Sequence, residues 1–142
     1  VSALVENGIP VMGHIGLLPQ SVKAAGGYRV TGRGAEESDE LVASARALEK
    51  AGAFCLVLEG MPAETAGAIT RAVNIPTIGI GAGPGCDGQI LVLHDMLGLS
   101  GKTLPRFVKA YEHLGDRMMA AFEEYRKEVR DRTFPGPEHC YD

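Results

Sequence analysis

Four short, continuously apolar runs, with helix signals between the first three, limit the fold more than any other feature of this chain. They cover residues 9–17, 54–58, 76–80 and 90–93, and each closes on a Gly, His, Glu or Asp. Runs that stay apolar instead of alternating are expected of parallel strands covered on both faces. Parallel neighbours need crossover connections, usually helices. Residues 37–51 supply one: Leu41, Ala45 and Leu48 share a face, Ser38 or Asp39 can cap the start, and Gly52 stops it. Pro62 opens the next, with Ala66, Ile69 and Val73 on one face and Asn74 at its end. The class is therefore α/β, and the four units read as half of a (β/α)8 barrel with functional groups along one rim. A whole barrel of that kind takes about 250 residues, and this chain has 142. A flavodoxin-like open sheet is the alternative. Helices on both faces of the strands would mark that fold, and helices on one face would mark the barrel.

The remaining segments fill in around this frame. Residues 1–7 look like the tail of a helix stopped by Gly8, so the chain begins within an element. A loop over residues 18–35 carries Gly26, Gly27, Gly32 and Gly34, and a loop of that length in a compact domain is usually functional or disordered. Residues 104–132 form the longest helical pattern, from Leu104 through Phe107, Tyr111, Leu114, Met118, Phe122 and Tyr125 to Val129, with Gly115 as a point of bending. Residues 134–142 read as a loop.

Composition excludes several classes. Hydrophobic residues make up 45% and charged residues 23%, an ordinary globular balance. The net charge is −4 with no basic cluster, which argues against nucleic acid as a partner. Cys55, Cys86 and Cys140 are widely spaced and odd in number, so neither a disulfide framework nor a zinc site is expected, and Cys55 reads as a small buried hydrophobe. No signal-peptide pattern and no apolar run of the roughly 20 residues needed to cross a bilayer is present. A cytoplasmic setting is the expectation.

Glu59 is the leading site candidate. A carboxylate closing the run Phe54-Cys55-Leu56-Val57-Leu58 sits where parallel α/β folds bind ligands, at the carboxyl end of a strand. Poor hydration there makes a carboxylate a stronger proton acceptor. The plainer alternative is a helix cap or an arginine partner. His14 ends the first run in the same layer, either orienting a substrate or bonded within the core. His94 and Asp95 hold the matching place on the fourth run, where Asp95 capping the turn toward Gly98 is the favoured reading. The string Gly79, Gly81, Gly83 and Gly85 is not a dinucleotide fingerprint, because no helix follows it. Its glycines suit close backbone approach. Residues 26–34, with Tyr28, Arg29 and Arg33, fit either an anion-binding lid or a surface loop.

Several of these segments taken together resemble ketopantoate hydroxymethyltransferases. They are Gly13-His14-Ile15-Gly16-Leu17-Leu18-Pro19-Gln20-Ser21, Gly26-Gly27-Tyr28 with Gly32-Arg33-Gly34, and Leu56-Val57-Leu58-Glu59. Ile78-Gly79-Ile80-Gly81-Ala82-Gly83 and Asp87-Gly88-Gln89-Ile90-Leu91-Val92 with His94-Asp95 follow in order, and Pro135-Gly136-Pro137-Glu138-His139 looks like the family's ending. The resemblance implies a TIM barrel that uses Mg²⁺ and 5,10-methylenetetrahydrofolate to hydroxymethylate 3-methyl-2-oxobutanoate, giving 2-dehydropantoate on the way to pantothenate. Glu59 falls on the family's proton acceptor, and His14 on a histidine near the substrate.

What the resemblance omits matters equally. The family's metal is reached through acids on the second to fourth strands, and this chain matches strands five to eight and the C-terminal helix. The expectation is thus one incomplete barrel domain over residues 1–142, with no metal ligand of its own and no activity without the other half. Homo-oligomers are implied. The competing expectations are another metal-dependent, enolate-forming lyase of the phosphoenolpyruvate/pyruvate barrel group, which needs no reduced folate, and a non-catalytic half-barrel subunit.

Overall fold

A computed structural model of the chain describes residues 1–18, 30–101 and 104–141. The chain divides into two compact units, Val1–Ile90 and Leu91–Asp142. The first unit runs α1 (Ser2–Glu6), β1 (Met12–Gly16), α2 (Ala35–Lys50), β2 (Cys55–Glu59), α3 (Ala63–Ala72), β3 (Thr77–Ile80) and β4 (Gly88–Gln89). Its strands form one parallel sheet in the order β1-β2-β3-β4.

Within this unit, α2 and α3 pack on one face of the sheet. Gly13 pairs with Leu56 and Ile15 with Leu58, and that row packs under Leu41, Ala45 and Leu48 of α2 and Ala66 and Ile69 of α3. Leu56, Leu58 and Ile69 are fully buried. At roughly 1.5–3 kcal/mol for each large apolar side chain removed from water, this cluster is the main support of the unit. The opposite row, with Met12, His14, Val57 and Ile78, contributes nothing to the cluster, and Met12 is 47% exposed. The apolar continuity of the strands predicts cover on both faces. The sequence supplies apolar side chains to both, and α2 and α3 of this unit pack on one.

Element boundaries follow main-chain bonding more than apolar runs. The fourth strand was expected over residues 90–93. It is the pair Gly88–Gln89 instead, in register with Ile78 and Gly79. Ile90 still donates its N–H to the Gly79 carbonyl, but Leu93 already begins a helical turn. The helix α2 starts at Ala35 rather than 37, with Gly34 at its N-cap and no side-chain cap from Ser38 or Asp39. Glu37 accepts the Arg33 N–H at 3.0 Å, which covers a donor just ahead of the helix.

The second unit holds α4 (Leu93–Met96), α5 (Leu114–Asp131) and a 3-10 turn at Pro137–His139. The expected helix over residues 104–132 is real only from Leu114. The N–H groups of Tyr111, Leu114 and Gly115 donate to the carbonyls of Met96, Leu97 and Gly98, so this stretch closes off α4 before α5 can begin. Gly115 does not bend the helix. It lies in its first turn, where a Cβ would meet the Gly98 carbonyl oxygen at 2.8 Å.

Candidate active site

The tips of β1, β2 and β3 are tied together beyond the strands themselves. The Leu17 N–H donates to the Glu59 carbonyl at 2.8 Å, the Gly60 N–H to the Ile80 carbonyl at 3.0 Å, and the Met61 N–H to the Gly81 carbonyl at 3.2 Å. Gly16 and Gly60 have φ of +98° and +60°. A Cβ on Gly16 would stand 2.1 Å from the Glu59 carbonyl oxygen, so only glycine lets β1 come this close. These bonds fix the backbone of Glu59 from both sides.

The register puts His14 opposite Val57 and Gly16 opposite Glu59. His14 and Glu59 therefore share the face away from the helices, two residues apart along neighbouring strands, a diagonal that long side chains can bridge. They do: His14 Nε2 lies 3.0 Å from Glu59 Oε2, with the Glu59 side chain 16% exposed and that of His14 33%. The nitrogen itself is buried and makes no hydrogen bond with any described residue. The two atoms are close, but they are not aligned for a hydrogen bond. The pair is thus an ion-pair contact when the ring is protonated, with the polar atom otherwise left open, an arrangement that calls for an explanation.

Around the pair, the end of the long loop docks rather than floats. Thr31 donates its N–H to the Gly60 carbonyl at 3.1 Å, and the Thr65 hydroxyl donates to the Gly32 carbonyl at 2.9 Å. Residues 19–29, which hold part of the suspected lid and the Pro19-Gln20-Ser21 segment, lie outside the described residues. The glycine string packs on α3. A Cβ on Gly83 would meet the Ala63 Cβ at 2.3 Å, and one on Gly85 the Gly67 Cα at 3.3 Å.

His94 and Asp95 do not sit on a strand. They belong to α4 in the second unit, where Asp95 accepts a hydrogen bond from the Ser100 hydroxyl and the Gly98 N–H donates to the Asp95 carbonyl. A Thr77–Asp87 bracket was not anticipated from the sequence. Asp87 Oδ2 accepts from the Thr77 N–H at 2.8 Å and its hydroxyl at 3.0 Å. The first of these bonds above all holds the Asp87 carboxyl below the usual carboxylate range. Burial pushes the neighbouring Cys86 thiol up. A threonine at a strand start with Asp-Gly a few residues after the strand was the available signal. Among the described residues, no three His, Cys, Asp or Glu side chains are grouped to hold a metal ion, and one carboxylate beside one imidazole does not fit Mg²⁺ with its octahedral oxygen shell. No described helix is long and apolar enough to cross a membrane.

A parallel α/β sheet with a carboxylate and an imidazole meeting at its strand tips defines a class of α/β proteins with a site at the carboxyl ends of the strands. The comparison with known proteins narrows it. The family model for ketopantoate hydroxymethyltransferase matches residues 1–137, and the chain belongs to that family. It is 55% identical to the 3-methyl-2-oxobutanoate hydroxymethyltransferase of Enterococcus faecalis over 99% of this chain and 51% of that protein. The proteins of that name from Moorella thermoacetica and Mesorhizobium japonicum are 55% and 56% identical, again over 99% of this chain and about half of theirs. The chain thus spans about half the length of the curated relatives it matches.

Proposed function

We propose that this chain supplies strands five to eight and the C-terminal helix of a single (β/α)8 barrel, and that the complete barrel transfers a hydroxymethyl group from 5,10-methylenetetrahydrofolate to 3-methyl-2-oxobutanoate. The carrying observation is the Glu59 carboxylate, 16% exposed, beside His14 at the strand tips. The packing of α2 and α3 on the same face supports the barrel over an open, doubly covered sheet, because in a barrel the face away from the helices is the interior.

Glu59 takes the proton from C3 of the oxo acid, and the C–H electron pair becomes the C2–C3 double bond of the enolate. C3 then attacks the methylene carbon of the folate as one of its two C–N bonds opens, and the C2 carbonyl re-forms. Water displaces the second folate nitrogen and supplies the hydroxyl oxygen, the two nitrogens taking up the Glu59 proton and one water proton, to give 2-dehydropantoate and tetrahydrofolate. Restricted solvent around Glu59 keeps the carboxylate reactive and protects the enolate from reprotonation by bulk water. Mg²⁺, implied by the family resemblance, would take its ligands from residues outside this sequence. The chain alone is accordingly inactive. We assign the complete enzyme to the cytoplasm, as a homo-oligomer.

The test is deuterium exchange at C3 of 3-methyl-2-oxobutanoate in D₂O by the complete enzyme. Glu59→Gln should lower it by about 10³-fold, and exchange at the unaltered rate would remove Glu59 as the base.

A further inference from the structure

We infer that His14 is a positioning residue for Glu59, acting on the base rather than on the substrate. This rests on the proton-acceptor reading above. Three observations carry it. Nε2 stands 3.0 Å from Oε2 of Glu59. The same nitrogen is buried and has no hydrogen-bond partner among the described residues. The backbone on either side of the pair is fixed by Gly16 and by the Leu17-to-Glu59 bond, so the diagonal is set by the strands and not by a loose side chain.

A buried imidazole nitrogen left open is unfavourable unless it is used, and at 3.0 Å the Oε2 of Glu59 is an acceptor within its reach. A hydrogen bond between them distinguishes the two carboxylate oxygens. Oε2 is held by His14, and Oε1 keeps its lone pairs for the substrate C–H. When Oε1 takes the proton, the carboxyl becomes neutral, Oε2 becomes a weaker acceptor, and the bond to His14 relaxes. It therefore holds the base in place before transfer and no longer favours its ionised form afterwards. Without it, the carboxylate can rotate and present either oxygen at the wrong angle. A group misplaced by about 1 Å can lower a rate by about 100-fold.

The experiment uses the complete enzyme, with deuterium exchange into 3-methyl-2-oxobutanoate measured in the absence of folate. His14→Ala should lower the exchange kcat by about 100-fold and change KM for the oxo acid by less than about threefold. His14→Gln, whose amide nitrogen reaches the place of Nε2, should regain at least about tenfold of that loss. His14→Asn, whose amide reaches only the place of Nδ1, should not. A large rise in KM with kcat held would make His14 a substrate ligand and overturn the proposal. Equal recovery by Asn and Gln, or full activity in His14→Ala, would overturn it as well. Glu59→Gln separates this from the reading it rests on. If that variant exchanges normally, the base assignment is lost, and if it is inactive while His14→Ala is not, only the positioning role falls.

Discussion

Helices α3 and α5 carry the same sequence pattern and meet opposite fates. In α3, Ala66 and Ile69 are fully buried, and Val73 just beyond it is 8% exposed. In α5, Met118, Phe122, Tyr125 and Val129 recur at the same three- and four-residue spacing, yet each is between 45% and 58% exposed and no residue of the helix is buried. Periodicity states that a face needs cover. It does not state whether the neighbouring chain provides it. The Val1–Ile90 unit closes a core and presents the titratable pair, whereas the Leu91–Asp142 unit shows an apolar stripe with its cover unassigned.

The contrast can be broken most severely at the chemistry. In the complete enzyme, Glu59→Gln should reduce C3 exchange by about 10³-fold, within the range for a lost general base. His94→Ala, in the second unit, should stay within about threefold. Comparable losses would mean that the second unit takes part in the chemistry as fully as the sheet unit. Next comes the core. Leu56→Ala should lower the urea-unfolding free energy of this chain by about 2–5 kcal/mol, since Leu56 is fully buried between α2 and the sheet. Gly16→Ala should cost about 1–3 kcal/mol for the left-handed backbone alone, together with a drop in exchange activity, because its Cβ would press on the Glu59 carbonyl. Equal stability in that variant would show that the strand tips are less rigid than described.

Two smaller effects sharpen the comparison. The Asp87 carboxyl is held below its ordinary value of 3.8 by the Thr77 bonds. Its contribution is complete above that ordinary value and disappears as pH falls through the lower, folded one. In Asp87→Asn the difference between urea midpoints at about pH 5 and about pH 3 should shrink, and an unchanged difference would exclude Asp87 from the acid limb. The smallest effect is expected at Phe122→Ala, under about 0.5 kcal/mol by the same unfolding measurement on this chain. A loss the size of that at Leu56 would show that the α5 stripe is buried in solution.

Much of the sheet unit was legible because its cues are local. Gly8 and Gly52 both adopt positive φ at the helix ends where the sequence stopped those helices. Glu59 is the last residue of β2, as the apolar run ending at Leu58 suggested. The failures arise where distant main-chain groups compete. Leu104, Phe107 and Tyr111 continue the α5 pattern, but the Tyr111 N–H is bonded to Met96, and no periodicity records that. Ile90-Leu91-Val92-Leu93 looks like a strand, yet the pairing with β3 ends at Gln89. Both His14 and Glu59 were visible as candidates. Their contact was not, because it depends on a register between strands some forty residues apart.

That register has one more consequence. Side chains alternate between the two faces of a strand, so a slip of β1 by a single residue against β2 reverses every assignment at once. His14 would turn in among the leucines, and Ile15 would take its place beside the carboxylate. Chemistry and cohesion therefore fail together in a misthreaded molecule. Such a molecule is excluded by its own instability before it can become a poor catalyst.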